Sequence, residues 1–163
     1  MQSEFTQPIS VLWWALTLGW AALIFHLSTR TYSPDFSQVV LAGALHLLHL
    51  RISPGTFGFL HALLRKLAHV IEYAIFALFL YGPPGEQSQA LWRPRRAVIC
   101  ILVAAVYSLT DEFHQLFVPG RHASLLDCGL DTMGASLAML VPYTRRQISL
   151  LRSTTSLPRV RTL

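Results

Sequence analysis

The sequence predicts an all-α fold, a multi-pass transmembrane bundle of four spans with an amphipathic or re-entrant segment between spans one and two. Three observations carry this expectation. First, only 13% of the 163 residues are charged and 53% are hydrophobic, against roughly 25% charged in an ordinary soluble domain. With 13 Lys+Arg and 8 Asp+Glu, the chain cannot build the charged skin that a small soluble globule needs. Second, the apolar residues form blocks of bilayer-crossing length, and the mean hydropathy is +0.45. Third, the basic residues, twelve Arg and one Lys, lie outside or at the ends of those blocks. That placement suits membrane flanks better than a nucleic-acid-binding face, so the expected partner is the lipid bilayer and not nucleic acid.

The first span is read at 9–27, where nothing from Phe5 to Thr29 is charged. Its start carries Glu4 and its exit reads HLSTR, unlike a cleavable signal, so a retained anchor is expected. Trp13, Trp14 and Trp20 are either interface anchors or lipid-facing bulk. Residues 36–64 hold only a short apolar run, 39–50, and read as an interfacial or re-entrant stretch broken at Pro54-Gly55. The remaining spans are read at 66–81, stopped by Gly82-Pro83-Pro84-Gly85, at 97–117, stopped by Pro119-Gly120, and at 124–143, followed by Arg145-Arg146. Residues 1–144 thus read as a single domain and 145–163 as a basic tail, mobile or lipid-associated.

Four spans put both termini on one side, together with the arginines of the 82–96 loop and the tail. Eight basic residues fall there and five on the other face, so both termini are expected in the cytoplasm. The first helix alone argues the other way, having Arg30 after it and no basic residue before it. Cys100 and Cys128 fall near opposite faces, too far apart for the ~6 Å Cα separation of a disulfide.

The informative acids are Glu72, Asp111, Glu112, Asp127 and Asp131, all inside spans or at their ends. Such groups cost a few kcal/mol each and are functional candidates by default. They occupy the start of the second span, the end of the third and the start of the fourth. Antiparallel succession therefore brings all of them to one membrane face, as a polar pocket sunk into the outer leaflet. Lys66, His69 and Tyr73 share a helix stripe with Glu72 at its edge. Asp111, His114 and Gln115 share another, and Ser124, Asp127, Asp131 and Gly134 a third. Five carboxylates there face Arg65, Lys66 and Arg121, so protonation, charged histidines or a bound cation must complete the balance.

Plainer readings stand beside these. Ser124-x-x-Asp127 is a capping-box-like start, Arg65 and Lys66 suit snorkelling flanks, and Glu72 and Asp111 suit internal ion pairs. His26, His46, His49 and His61 are assigned to structure or the interface. Gly134 with Ala138, and Ala15 with Gly19, are small-residue pairs suited to helix packing. His69-x-x-Glu72 and Asp111-x-x-His114 resemble the acid/His pairs of metal-binding bundles. Without CxxC or HExxH, however, neither a metal nor another cofactor is expected. Ser108 and Ser124 lack a nucleophile-elbow context.

At these same residues the chain resembles a known family. Arg65-Lys66-Leu67-Ala68-His69-Val70-Ile71-Glu72-Tyr73 resembles the R-K-x-x-H-F-x-E-Y signature of VanZ-like membrane proteins. The stretch from Asp111-Glu112 through Gln115 and Phe117 to Pro119-Gly120-Arg121 resembles D-E-x-x-Q-x-F-x-P-G-R, and Asp127 to Gly134 resembles D-x-x-x-N-x-x-G. Val70 replaces the usual aromatic, a change of packing. Asp131 replaces the usual Asn and adds a negative charge. The resemblance implies an envelope protein of the kind linked to teicoplanin tolerance, with Lys66, His69, Glu72, Tyr73, Asp111, Glu112, Gln115, Arg121 and Asp127 as its functional positions.

Three functions fit. The first is a pocket that binds a lipid-linked or glycopeptide-like envelope molecule. Arg65, Lys66 and Arg121 would meet anionic oxygens, and the carboxylates, Asp131 included, would meet amines or hydroxyls. The second is an intramembrane hydrolase or transferase acting on a lipid head group, with His114 or Glu112 as base, Asp111 orienting it, and Arg121 and Lys66 stabilising phosphate charge. The third is a structural bundle that docks another envelope protein.

Overall fold

The structure, a computed structural model, describes residues 8–28, 34–82, 92–118 and 123–155. Six helices follow one another: α1 Pro8–Ser28, α2 Pro34–Leu47, α3 Pro54–Tyr81, α4 Pro94–Gln115, α5 Leu125–Ala138 and α6 Leu140–Thr155. No strand occurs among the described residues. Three stretches, Val11–Ser28, Pro94–Gln115 and Leu125–Arg152, are long and apolar enough to cross a membrane. The outward faces of α1 and α4 are aliphatic, with Leu12, Leu18, Leu102 and Val106 all more than half exposed, as lipid contact requires.

α1 turns Thr17, Ile24 and Ser28 inward on one helical stripe. Trp13 and Trp20 lie on that stripe too. Their indole N–H groups donate to backbone carbonyls of α3, Trp13 to Phe79 at 2.8 Å and Trp20 to Glu72 at 3.0 Å. They are helix–helix ties, correcting both readings offered from sequence; Trp14 alone faces outward. Gly19 also faces open space, so the Ala15/Gly19 pair packs against no described helix.

The 36–64 stretch is divided differently from expectation. α2 ends in a Schellman motif, with Leu50 N–H bonded to Leu45 O, His49 N–H bonded to His46 O, and His49 left-handed at φ 55. Ser53 then caps α3, its Oγ accepting the Thr56 N–H at 3.1 Å, and Pro54 takes the first helical turn. A proline preceded by a capping serine starts a helix, so Pro54-Gly55 opens α3 instead of breaking a segment. One helix therefore runs from Pro54 through the expected second-span start at Lys66 to Tyr81. α2 folds back on its early turns, where Ser37 Oγ and His61 Nε2 meet at 2.7 Å.

The expected fourth span is also two helices. Pro142 has no N–H to offer the Ala138 carbonyl and its ring crowds that carbonyl, and the helix breaks at Met139. Residues 145–155 of the expected tail are helical. Both cysteines are free and buried.

α5 is the hub, packed along α3 and α4, while α1 lies mainly on α3. The α3–α5 approach is set by Gly134, where a Cβ would sit 2.2 Å from the Val70 carbonyl oxygen. Ala135 and Ala138 continue that small-residue face against Tyr73, Phe76 and Ala77. At the far end Tyr81 stacks on Trp92 at 6.0 Å, Trp92 meets Tyr143 at 5.6 Å, and Arg96 lies over Tyr81. That aromatic and cationic layer has the composition of a membrane interface.

The two helical glycines of α5 give a paired prediction. Gly134→Ala must push α3 and α5 apart and should cost at least ~1–3 kcal/mol. Gly129→Ala, with nothing within 4 Å of the added carbon, should be neutral or stabilise by up to ~1 kcal/mol. Reversible unfolding in mixed micelles measures both; equal effects would contradict the close approach at Val70.

Candidate functional site

The end of the bundle opposite the aromatic layer collects the acids. α4 delivers Asp111, Glu112 and Gln115 from its last turn, and α5 delivers Asp127 and Asp131 from its first two. α1 ends there at Ser28, and α3 passes through with residues 65–73. Asp111, Glu112, Gln115, Asp127 and Asp131 are all buried, Asp131 to 1% exposure. A buried carboxylate is tolerable only with donors or counter-charges around it, and each of these four finds one on another helix or segment.

Asp111 accepts from Ser28 Oγ at 2.6 Å and from Gln115 Nε2 at 3.2 Å. Glu112 accepts the backbone N–H of Ser124 at 2.6 Å, tying the end of α4 to the start of α5. Asp127 pairs with Lys66 Nζ at 3.0 Å, and Arg65 lies 3.9 Å from its other oxygen. Asp131 accepts from Ser108 Oγ at 2.5 Å and faces His69 Nδ1 at 3.3 Å.

The capping reading of Ser124 is corrected by this arrangement. Its side chain makes no capping bond, Glu112 takes its N–H, and Asp127 turns to α3. The carboxylates form a packed layer beneath a cationic rim of Arg65 and Lys66, whose side chains are 40% and 36% exposed.

The remaining sequence candidates sort as follows. Tyr73 is fully buried and lies within electrostatic reach of Asp111 and Asp131. Glu72 is half-buried and acts on His69 through its charge. His114 leaves the carboxylate stripe and packs on the Phe25 ring at 4.5 Å. Arg121 lies outside the described residues. Sequence reasoning missed Ser28 and Ser108. Ser108 could have been found, because it lies one turn before Asp111 and Glu112 and two turns before Gln115 on the same face. Ser28, at the mouth of an apolar helix, carried no such signal.

Among the described residues, Asp111 Oδ1, Glu112 Oε1 and His114 Nε2 are buried polar atoms that find no hydrogen-bond partner. The site is therefore rich in acceptors facing inward and in cations facing outward. Among the described residues no group of three or more His, Cys, Asp or Glu is placed to hold a metal ion.

The serine donors give the site its own test. Ser28→Ala and Ser108→Ala should each cost ~1.5–3 kcal/mol, the range for hydrogen bonds to charged groups. Exposed Thr110→Ala should stay within ~0.5 kcal/mol. Unfolding in mixed micelles reads all three, and serine variants as mild as the control would contradict the network.

No curated protein and no solved structure matches the chain. The sequence model of the VanZ/LLP1 family, in contrast, matches residues 13–146, a stretch that holds all four carboxylates, their donors and the rim cations. By that match over most of its length, this chain is a member of the VanZ/LLP1 family.

Proposed function

We propose that this VanZ-like protein sits in the bacterial inner membrane with four spans and both termini in the cytoplasm, and that its polar end faces outward. There it binds a lipid-linked or glycopeptide-like molecule of the cell envelope, a role that would connect it to teicoplanin tolerance. The observation that carries this reading is the pairing of a buried carboxylate layer with partly exposed Arg65 and Lys66 directly above it. Rim cations suit the phosphate of a lipid-linked molecule, and the carboxylates beneath suit its amines or hydroxyls. Arg121, a candidate from the sequence motif alone, is proposed as a further basic contact for that phosphate. The basic residues of the opposite end, Arg93, Arg95, Arg96, Arg145 and Arg146, support a cytoplasmic assignment for that face. In this reading α3 is the remaining span, entering the membrane near Lys66, and α2 with the early turns of α3 forms the interfacial segment.

A second reading, an intramembrane enzyme acting on a lipid head group, draws on Glu112 Oε1, Asp111 Oδ1 and His114 Nε2, which find no hydrogen-bond partner among the described residues. Glu112 would serve as base with Asp111 orienting the reacting group. His114 is the weaker base candidate because its ring is taken up by Phe25.

Native mass spectrometry of the purified protein with a polyprenyl phosphate tests the first reading. Lys66→Gln and Arg121→Gln should each weaken binding about fivefold or more, given ~1 kcal/mol per basic contact with an anionic lipid. Arg95→Gln, at the other end, should leave binding unchanged. Equal binding by all three, with folding intact, would reject the rim as the binding element.

A further inference from the structure

Trp92 precedes α4 and its ring lies 5.6 Å from Tyr143, so the aromatic layer sets residue 143 level with the start of α4. α6 continues to Thr155, which places residues 144–155, roughly 18 Å of helix, beyond that layer. Among the described helices α6 packs against α5, its neighbour in sequence.

This segment is not built like a water-exposed helix. At ~100° per residue, Leu140, Val141, Tyr143, Ile148 and Leu151 share one side of α6 with the uncharged Thr144 and Gln147. Arg145 and Arg152 flank that side on one edge and Arg146 on the other, with Ser149 opposite. Ile148 and Leu151 are 49% and 66% exposed, and Arg145 and Arg152 are exposed as well. An apolar stripe edged by arginines on both sides matches a helix lying in a lipid interface, its stripe among acyl chains and its guanidinium groups raised to the headgroups. The interruption at Met139 and Pro142 gives α6 a joint at which to leave the α5 axis.

We propose that residues 144–155 of α6 form a surface helix that binds the anionic phospholipid headgroups of the leaflet at the basic end of the bundle. The occupant is lipid because the charge complement is an anionic surface, and because the arginines continue the basic layer of Arg93, Arg95 and Arg96. This inference rests on the reading that the bundle spans a membrane.

Hydrogen exchange of the full chain in nanodiscs tests it. Exchange across 144–152 should slow about tenfold or more on passing from pure phosphatidylcholine to about one third phosphatidylglycerol. Arg145→Gln/Arg146→Gln/Arg152→Gln should abolish the difference while leaving α3 to α5 unchanged. Equal exchange in both lipids, or a difference that survives the triple variant, would overturn the proposal. So would protection that appears only in nanodiscs holding two copies, which would assign the face to a second chain. Rapid exchange throughout α1 and α4 would instead reject the membrane-spanning reading itself.

Discussion

A carboxylate surrounded by aliphatic helices is unstable unless donors reach it, and this requirement organises the polar end of the bundle. Four buried acids on α4 and α5 draw in Ser28 from α1, Lys66 and His69 from α3, Ser108 from α4 and a backbone N–H from the α4–α5 connection. Each of these contacts joins two different helices or segments, whereas the Gln115–Asp111 bond lies within α4. The small-residue face of Gly134, Ala135 and Ala138 then permits the close α3–α5 approach that these short bonds need. Polar satisfaction and tight packing are in this sense one constraint.

The molecule is consequently polarised along its axis. One end holds buried acids under two cations, and the other holds stacked aromatics under arginines. The network ties four helices together, and one oxygen each of Asp111 and Glu112 finds no partner among the described residues.

Much of this was legible in the sequence. The convergence of Glu72, Asp111, Asp127 and their neighbours followed from their position at alternating helix ends, a signal that survives errors in boundaries. Gly134 was legible as a packing residue because small residues one turn apart have few other uses in a membrane helix. What escaped had weaker or ambiguous signals. Pro54 reads as a breaker or as a first-turn residue depending on Ser53, and Pro142 sits inside an otherwise continuous apolar run. Trp13 and Trp20 have the composition of interface anchors, and only the α3 carbonyls opposite them decide their direction. Ser28 and Ser108 are neutral and small, so a search for charged residues passes over them even though they complete two of the four carboxylate environments.

The central claim, that acids and bases from different helices meet at one end and hold one another there, is tested most directly by a double-mutant cycle on Lys66 and Asp127. Lys66→Met alone leaves the buried Asp127 carboxylate with only the more distant Arg65 at 3.9 Å, and adding Asp127→Asn removes the under-compensated charge. Unfolding free energies in mixed micelles should therefore show a favourable coupling of about 1 kcal/mol or more, with the double variant more stable than Lys66→Met. Strictly additive losses would mean that the two side chains do not meet, and the convergence would be contradicted.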